Sequence, residues 1–140
     1  MNILFIGDIV GKPGRDAIKA LGPELKKEYA LDFIVANAEN AAGGSGITAK
    51  IAQELFDSSV DVLTSGDHIW KKKEIFEIIN GERRILRPNN FPSTVPGAGF
   101  GIFTTAKGQK IGVVCVLGRV FLDALECPFK TTMLAVQAIA

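Results

Sequence analysis

Three short apolar runs, each followed by oxygen-bearing polar side chains, constrain the fold of this chain more than any other feature. They occupy residues 3–6, 33–36 and 60–63, and helix-like segments separate them along the chain. Runs that are apolar at nearly every position are typical of strands buried on both faces of a parallel sheet. Strands that alternate with helices favour an α/β fold, so the sequence predicts a parallel βαβαβα start.

The helical segments between and after these strands carry recognisable start and stop signals. The first is predicted over residues 15–29, after a loop at 11–14, with a break or kink at Gly22-Pro23. Thr48 is a plausible N-cap for a second helix over residues 49–57, and a third helix is predicted over 72–79.

The second half of the sequence has a different character. A proline-rich loop covers residues 87–97 and is long enough to suggest a functional role. Residues 100–104 and 111–117 predict a β-hairpin, and a helix is predicted from residue 131. That helix has neither a C-cap glycine nor a basic last turn, so we expect a chain cut within a longer fold.

Composition excludes several classes of protein. The 140 residues fit one domain, 1–140, and the net charge of +1 gives no general attraction to nucleic acid or membrane. No apolar run is long enough to span a bilayer, and the N-terminus lacks a signal-peptide pattern, which predicts a cytoplasmic protein. Cys115 and Cys127 have no zinc-type spacing, and Cys115 lies in a strand pattern where it is expected to be buried.

The polar residues after the three strands form the candidate site. Right-handed crossovers place the ends of parallel strands at one edge of the sheet, which would bring together Asp8, Glu39, Asn40, Asp67 and His68. Carboxylate and amide oxygens suit a divalent ion, and histidine titrates near neutral pH. The alternative is a set of ordinary turns, in which Asn37 and Asn40 serve turn geometry and His68 is simply hydrogen-bonded.

Signals for other ligands are weaker. The chain has no G-x-G-x-x-G fingerprint, and Lys12 is not followed by the Ser or Thr of a Walker motif, so a dinucleotide-binding or redox domain ranks last. Arg119 follows the second strand of the hairpin, where its planar guanidinium could meet a phosphate or pair locally.

Five motifs together resemble a known family. Gly7-Asp8-Ile9-Val10-Gly11, Asn37-Ala38-Glu39-Asn40, Gly66-Asp67-His68-Ile69-Trp70, Arg87-Pro88-Asn89-Asn90-Phe91-Pro92 and Gly118-Arg119 resemble, in order and spacing, the bacterial YmdB-like metallophosphoesterases of the calcineurin-like superfamily. The resemblance implies a partial metallophosphoesterase fold with two divalent metal ions, iron, manganese or zinc. It also implies hydrolysis of phosphodiesters such as 2',3'- or 3',5'-cyclic nucleotides.

The resemblance assigns a role to each position of the candidate site. Asp8 would bind one metal, Glu39 would bridge both, and Asn40 would belong to the same shell. Asp67 would bind the second metal, and His68 would donate a proton near the leaving group. Asn90 and Arg119 are the candidate substrate-binding residues.

Two departures from the family pattern bear on these roles. Asp67 stands where the family usually has asparagine, and the three further metal-binding histidines of the family are missing, since His68 is the only histidine. We therefore expect an incomplete metal site that holds one ion or none. The alternative to an enzyme is a non-catalytic remnant that binds a phosphate ligand or a protein.

A fold left incomplete also predicts self-association. With fewer elements to cover its apolar surface, the chain is expected to expose an apolar face and to form a homo-oligomer. The expected contact is the segment 99–117 or the segment after residue 129.

Overall fold

A four-stranded parallel sheet forms the centre of the molecule. The computed structural model describes residues 1–122 and 125–140 and orders the strands β1-β2-β3-β4. The strands are β1 Ile3–Asp8, β2 Phe33–Asn37, β3 Val62–Thr64 and β4 Ile85–Leu86. Each adjacent pair is parallel, which confirms the predicted α/β start. The sequence did not indicate β4, because two residues are too short to show a pattern.

The first helix is longer than predicted. Helix α1 spans Gly11–Glu28, so the residues assigned to a loop at 11–14 form its first turn. Gly11 has a φ of 56°, a left-handed conformation that glycine adopts without strain. Pro23 lies inside the helix, which continues past it without the predicted break. Gly22 has a packing role instead, since a Cβ there would lie 2.6 Å from the carbonyl oxygen of Ser58.

The second helix agrees with the prediction and the third does not. Helix α2 spans Ala49–Asp57, and the Thr48 hydroxyl caps it by accepting a hydrogen bond from the Ile51 amide at 3.3 Å. In place of a helix over 72–79 there is only a 3₁₀ helix, Lys73–Glu77. The side chain of the N-cap residue, Lys72, makes no capping hydrogen bond, and the consecutive lysines at 71–73 put positive charge where a helix N-terminus disfavours it.

The hairpin and the last helix follow the sheet. Strands β5 Phe100–Thr104 and β6 Lys110–Val114 pair antiparallel, so the hairpin prediction is confirmed, with β6 ending three residues before the predicted boundary. Helix α3 spans Pro128–Ile139 and starts earlier than predicted, because proline is well suited to the first turn of a helix. A Cβ at Gly112 would lie 2.7 Å from Ile139, so α3 packs closely on β6.

Two apolar cores lie on opposite faces of the sheet. On the helix side, α1, α2 and the 3₁₀ helix cover a core that includes Ile34, Leu55, Leu63 and Ile75. On the hairpin side, β5 and β6 cover a smaller core formed by Phe33, Val35, Val62, Leu86, Val113 and Cys115. Burial of Cys115 agrees with the prediction.

Strand β1 is the exception to the predicted burial. Phe5 pairs with Val35 in register and so points to the hairpin side, yet Phe5 is 64% exposed while Val35 is 3% exposed. Ile3, two residues earlier, is 50% exposed. The prediction that β1 is buried on both faces is therefore wrong, because the hairpin covers β2 but not the edge strand. Helix α3 also exposes Phe129, Met133 and Leu134, so the expected apolar face is present.

Candidate functional site

The sheet brings the predicted site residues to one edge. Asp8 is the last residue of β1, Glu39 and Asn40 follow β2, and Asp67 and His68 follow β3. Because the three strands are parallel neighbours, these positions share the carboxyl edge of the sheet. Strand β1 has a register irregularity between Ile6 and Asp8, so Asp8 pairs with Asn37.

A chain of hydrogen bonds joins three of these residues. The side-chain nitrogen of Asn40, Nδ2, donates to Oδ2 of Asp8 at 2.8 Å, and Oδ1 of Asn40 lies 2.7 Å from Nδ1 of His68. Since Asn40 uses its donor on Asp8, its oxygen must accept from the histidine, which makes Nδ1 the protonated ring nitrogen. Nε2 of His68 is then the nitrogen left to exchange a proton with a ligand. It lies 3.6 Å from Oδ2 of Asp67.

Glu39 differs from the other acids in being shielded from water. Its Oε2 is buried and has no hydrogen-bond partner among the described residues. The side chain packs directly on Gly66, where an added Cβ would overlap the Glu39 carboxylate. Backbone bonds fix the turn, because the Glu39 amide donates to Oδ1 of Asn37 at 3.1 Å and the Ala38 amide donates to the Thr64 carbonyl at 2.9 Å. The turn thus holds a desolvated carboxylate against β3.

Electrostatics at this edge favour a positive ligand. Burial raises the pKa of Glu39, and the nearby charges of Asp67 and Asp8 raise it further, whereas His68 acts in the opposite direction. A carboxylate that is both unpaired and surrounded by like charge gains most from a cation. The orphaned oxygen of Glu39, with the oxygens of Asp8 and Asp67 near it, therefore fits a hard divalent ion.

The donor set is nevertheless short of ligands. Among residues 1–122 and 125–140, no three His, Cys, Asp or Glu side chains are grouped closely enough to hold an ion between them. Asn40 uses both ends of its amide within the protein. The chain alone thus offers a charged half-site rather than a closed cage of ligands.

The two candidate substrate-binding residues lie in a different setting. Asn90 is 1% exposed, and its side chain is bonded at both ends, accepting from the Leu117 amide at 2.9 Å and donating to the Leu117 carbonyl at 2.8 Å. It also donates to the Glu126 carbonyl at 3.2 Å. A side chain so enclosed has no donor left for a substrate, so Asn90 positions the chain after β6 instead. Arg119 is exposed and donates to the Leu125 carbonyl at 3.3 Å.

Sequence reasoning missed the role of one residue that shapes the site, Gly66, and assigned Asn37 correctly. Gly66 admits the Glu39 carboxylate, and the signal for it was a glycine directly between a buried strand and a carboxylate. Asn37 was considered only as a turn residue, and it does serve the turn before Glu39. Asn40, which was given the same alternative, instead connects Asp8 to His68.

Comparisons with known proteins identify a matching family and similar proteins. A family model described as "YmdB-like protein" matches residues 4–140. The chain is 46% identical over 129 residues to a 2',3'-cyclic-nucleotide 2'-phosphodiesterase of Bacillus subtilis (strain 168), covering 92% of this chain and 48% of that protein. The chain spans about half the length of the curated relatives it matches.

Two crystal structures share the fold. One is of a hypothetical protein from Thermus thermophilus, with a TM-score of 0.90 and 34% identity, covering 98% of this chain and 53% of that one. The other is of a novel phosphatase from Mycoplasma pneumoniae, with a TM-score of 0.87 and 30% identity, covering 97% and 50%. In the described part of the chain, none of the helices has the length and apolarity needed to cross a membrane.

Proposed function

Because the chain belongs to the YmdB-like protein family, we propose that it supplies part of a metal-dependent phosphodiesterase site for small phosphodiesters such as 2',3'- or 3',5'-cyclic nucleotides. The observation that carries the proposal is the buried, unpaired Oε2 of the Glu39 carboxylate, beside Asp8 and Asp67. The activity in the name of the Bacillus subtilis relative supports the reaction class.

The ion is assigned to the acids at the sheet edge. Glu39 would be its central ligand, and Asp8 and Asp67 would have to move toward the ion as it binds, because the three acids are not grouped closely enough to hold it as they stand. Asn40 is kept in place beside them by its bond to Asp8. A divalent ion (iron, manganese or zinc) supplies Lewis-acid polarisation of a phosphoryl oxygen when it is bound. Burial of Glu39 strengthens its attraction for a cation, because charges interact more strongly where water is excluded. This chain is proposed to bind one such ion rather than the pair.

His68 is proposed as the proton donor to the leaving oxygen. Asn40 holds its Nδ1, so Nε2 can carry a second proton when the ring is charged and release it toward a substrate. The hydrogen bonds of Asp8 and Asn40 therefore set the direction in which His68 delivers its proton.

Turnover of 2',3'-cyclic AMP with added Mn²⁺ tests this proposal. Glu39→Ala should abolish both turnover and the heat of Mn²⁺ binding, because it removes the central carboxylate. His68→Ala should lower turnover by roughly 10²–10⁴-fold while Mn²⁺ binding is retained. Glu24→Ala is the matched control for lost charge, since Glu24 lies on the exposed surface of α1. Equal turnover of wild type and His68→Ala would refute the assigned role.

A second candidate, binding of a phosphate ligand without turnover, is favoured by the lack of a closed ligand group among the described residues. Here the same sheet edge holds an ion and a phosphate but completes no reaction. Mn²⁺-dependent binding of inorganic phosphate with no turnover of any cyclic nucleotide would favour this candidate over the enzyme.

A further inference from the structure

A pocket outside the cluster of acids shares one wall with it. The pocket has a volume of about 340 Å³, within the range of small-ligand sites. It is lined by Asp67, Phe91, Leu117, Phe121, Leu122 and Leu125. Asp67 is thus common to the proposed phosphate site and to a pocket whose other lining side chains, among the described residues, are apolar.

One side of this pocket is held rigidly. The Phe91 ring meets Trp70 edge to face, with centroids 4.8 Å apart and planes at 86°. Leu117 is fixed through its backbone, because the buried Asn90 side chain bonds both its amide and its carbonyl. Arg119 donates to the carbonyl of Leu125 at 3.3 Å, which ties these two residues to each other. A preformed wall binds a ligand at a lower entropic cost than a flexible one.

The opposite side presents an aromatic ring to solvent. Phe121 is 102% exposed and has a φ of 60°, a left-handed conformation that is strained for a residue with a β-carbon. Burial does not offset this strain, since the side chain is fully exposed. An exposed aromatic face is instead well suited to stack on a planar ligand ring.

From these observations we propose that the pocket binds the nucleobase of a mononucleotide whose phosphate lies at the Asp67 edge, an inference that rests on the proposed function. A nucleobase is a planar ring joined through its sugar to a phosphate, which matches a pocket with two phenylalanines in its lining that adjoins the proposed phosphate site. The net charge of +1 does not favour a polynucleotide, whose binding needs many cationic contacts. Phe121 and Phe91 thereby become specificity-determining residues.

A pair of substrates separates base recognition from catalysis. Compared with wild type, Phe121→Ala should lower kcat/KM for 2',3'-cyclic AMP by roughly 5- to 150-fold, the equivalent of about 1–3 kcal/mol for one stacked base. The loss should be mainly in KM, because stacking binds substrate and transition state alike. Glycerol 1,2-cyclic phosphate has the same reactive ring and no base, and its turnover should not change. Phe121→Trp should retain the preference for the nucleotide.

Phe129→Ala is the matched control, since Phe129 is also a highly exposed phenylalanine and does not line the pocket. An equal loss on both substrates in Phe121→Ala, or no loss on either, would overturn the proposal.

A binding measurement covers the case in which the chain has no turnover and the proposed function fails. Calorimetric titration should show tighter binding of adenosine 5'-monophosphate than of ribose 5-phosphate by wild type. The difference should disappear in Phe121→Ala and persist in Phe129→Ala. Equal affinity of wild type for the two ligands would refute base binding by this pocket whatever the catalytic result.

Discussion

Strands β1 and β2 are adjacent, have similar apolar sequences and each lead to an acid of the candidate site, but they have different surroundings. The hairpin covers β2 and leaves the neighbouring face of β1 in solvent, so Phe5 is exposed beside a buried Val35. The acids that follow the two strands also differ in exposure. Asp8 is exposed, whereas Glu39 is partly shielded and has a raised pKa. The comparison shows that the sequence pattern places an acid at the sheet edge, whereas the burial of that acid and the charges near it determine its electrostatic environment.

The largest expected effect is a loss of stability from a cavity in β2. Ile34 is completely buried in the helix-side core, and Ile34→Ala should lower the free energy of unfolding by about 3 kcal/mol. Urea unfolding followed by circular dichroism measures this change. A loss below about 1 kcal/mol would mean that β2 is as loosely packed as β1, and the contrast between the strands would not hold.

Much of the fold, but less of the site, could be predicted from the sequence. The apolar runs located β1, β2 and β3, and Thr48 marked the start of α2, because these are local signals. Exposure of Phe5 could not be predicted, since it depends on how far the hairpin, distant in sequence, extends across the sheet.

In the site, too, the features that depend on contacts distant in sequence could not be predicted. Topology predicted that Asp8, Asn40 and His68 share an edge, but their order of hydrogen bonding depends on side-chain orientations that no spacing reveals. Asn90 has a motif position that suggested a ligand contact. Its actual partner is Leu117, 27 residues further along the chain.

The next effect concerns the glycines that precede the two outer acids of the site. Gly66 contacts the Glu39 carboxylate, whereas Gly7 has nothing within 4 Å of an added Cβ. Gly66→Ala should displace Glu39 and weaken Mn²⁺ binding by roughly 10–100-fold, as expected for a residue that supports a ligand. The matched variant Gly7→Ala should bind Mn²⁺ as wild type does in calorimetric titration. Similar affinities for the two variants would show that the buried setting of Glu39 does not matter for the ion.

A smaller effect, on the pH dependence of stability, tests the contacts that hold the N-terminal end of β1. Asp32, just before β2, accepts from the Asn2 amide at 2.8 Å and pairs with Lys107 at 2.6 Å. The bond to Lys107, and next the bond to Asn2, lower the pKa of Asp32. The stabilisation is therefore present above the pKa of an unfolded aspartate and is lost as the pH falls through the lower, folded value.

Asp32→Asn should accordingly reduce the melting temperature at pH 7, and the difference from wild type should vanish in strong acid. Thermal unfolding at a series of pH values measures it. A difference that is constant with pH would rule out the charge of Asp32 as its cause.

The smallest effect on stability is expected from the bare face of β1. Phe5→Ser should change the free energy of unfolding by no more than about 0.5 kcal/mol, because the ring is largely in water already. If this face takes part in the predicted homo-oligomer, the Phe5→Ser variant should dissociate at a higher protein concentration than wild type. Light scattering over a dilution series measures the difference. Phe129→Ser makes the same test for α3, where the contact was expected from the sequence. A large loss of stability in Phe5→Ser would mean that β1 is covered in solution.

The different reactivities of the two thiols provide a way to measure how often the hairpin opens. Burial raises the pKa of Cys115 to about 11, and its Sγ donates to the Ser65 carbonyl at 3.2 Å, beneath the hairpin. Cys127 at the start of α3 has a lowered pKa, chiefly because the Lys130 amide donates to its sulfur. An alkylating reagent near neutral pH should therefore modify Cys127 first, from the native state. Modification of Cys115 requires the hairpin to separate from the sheet. Its rate therefore measures how often the hairpin side of β2, unlike the permanently exposed face of β1, becomes accessible to solvent.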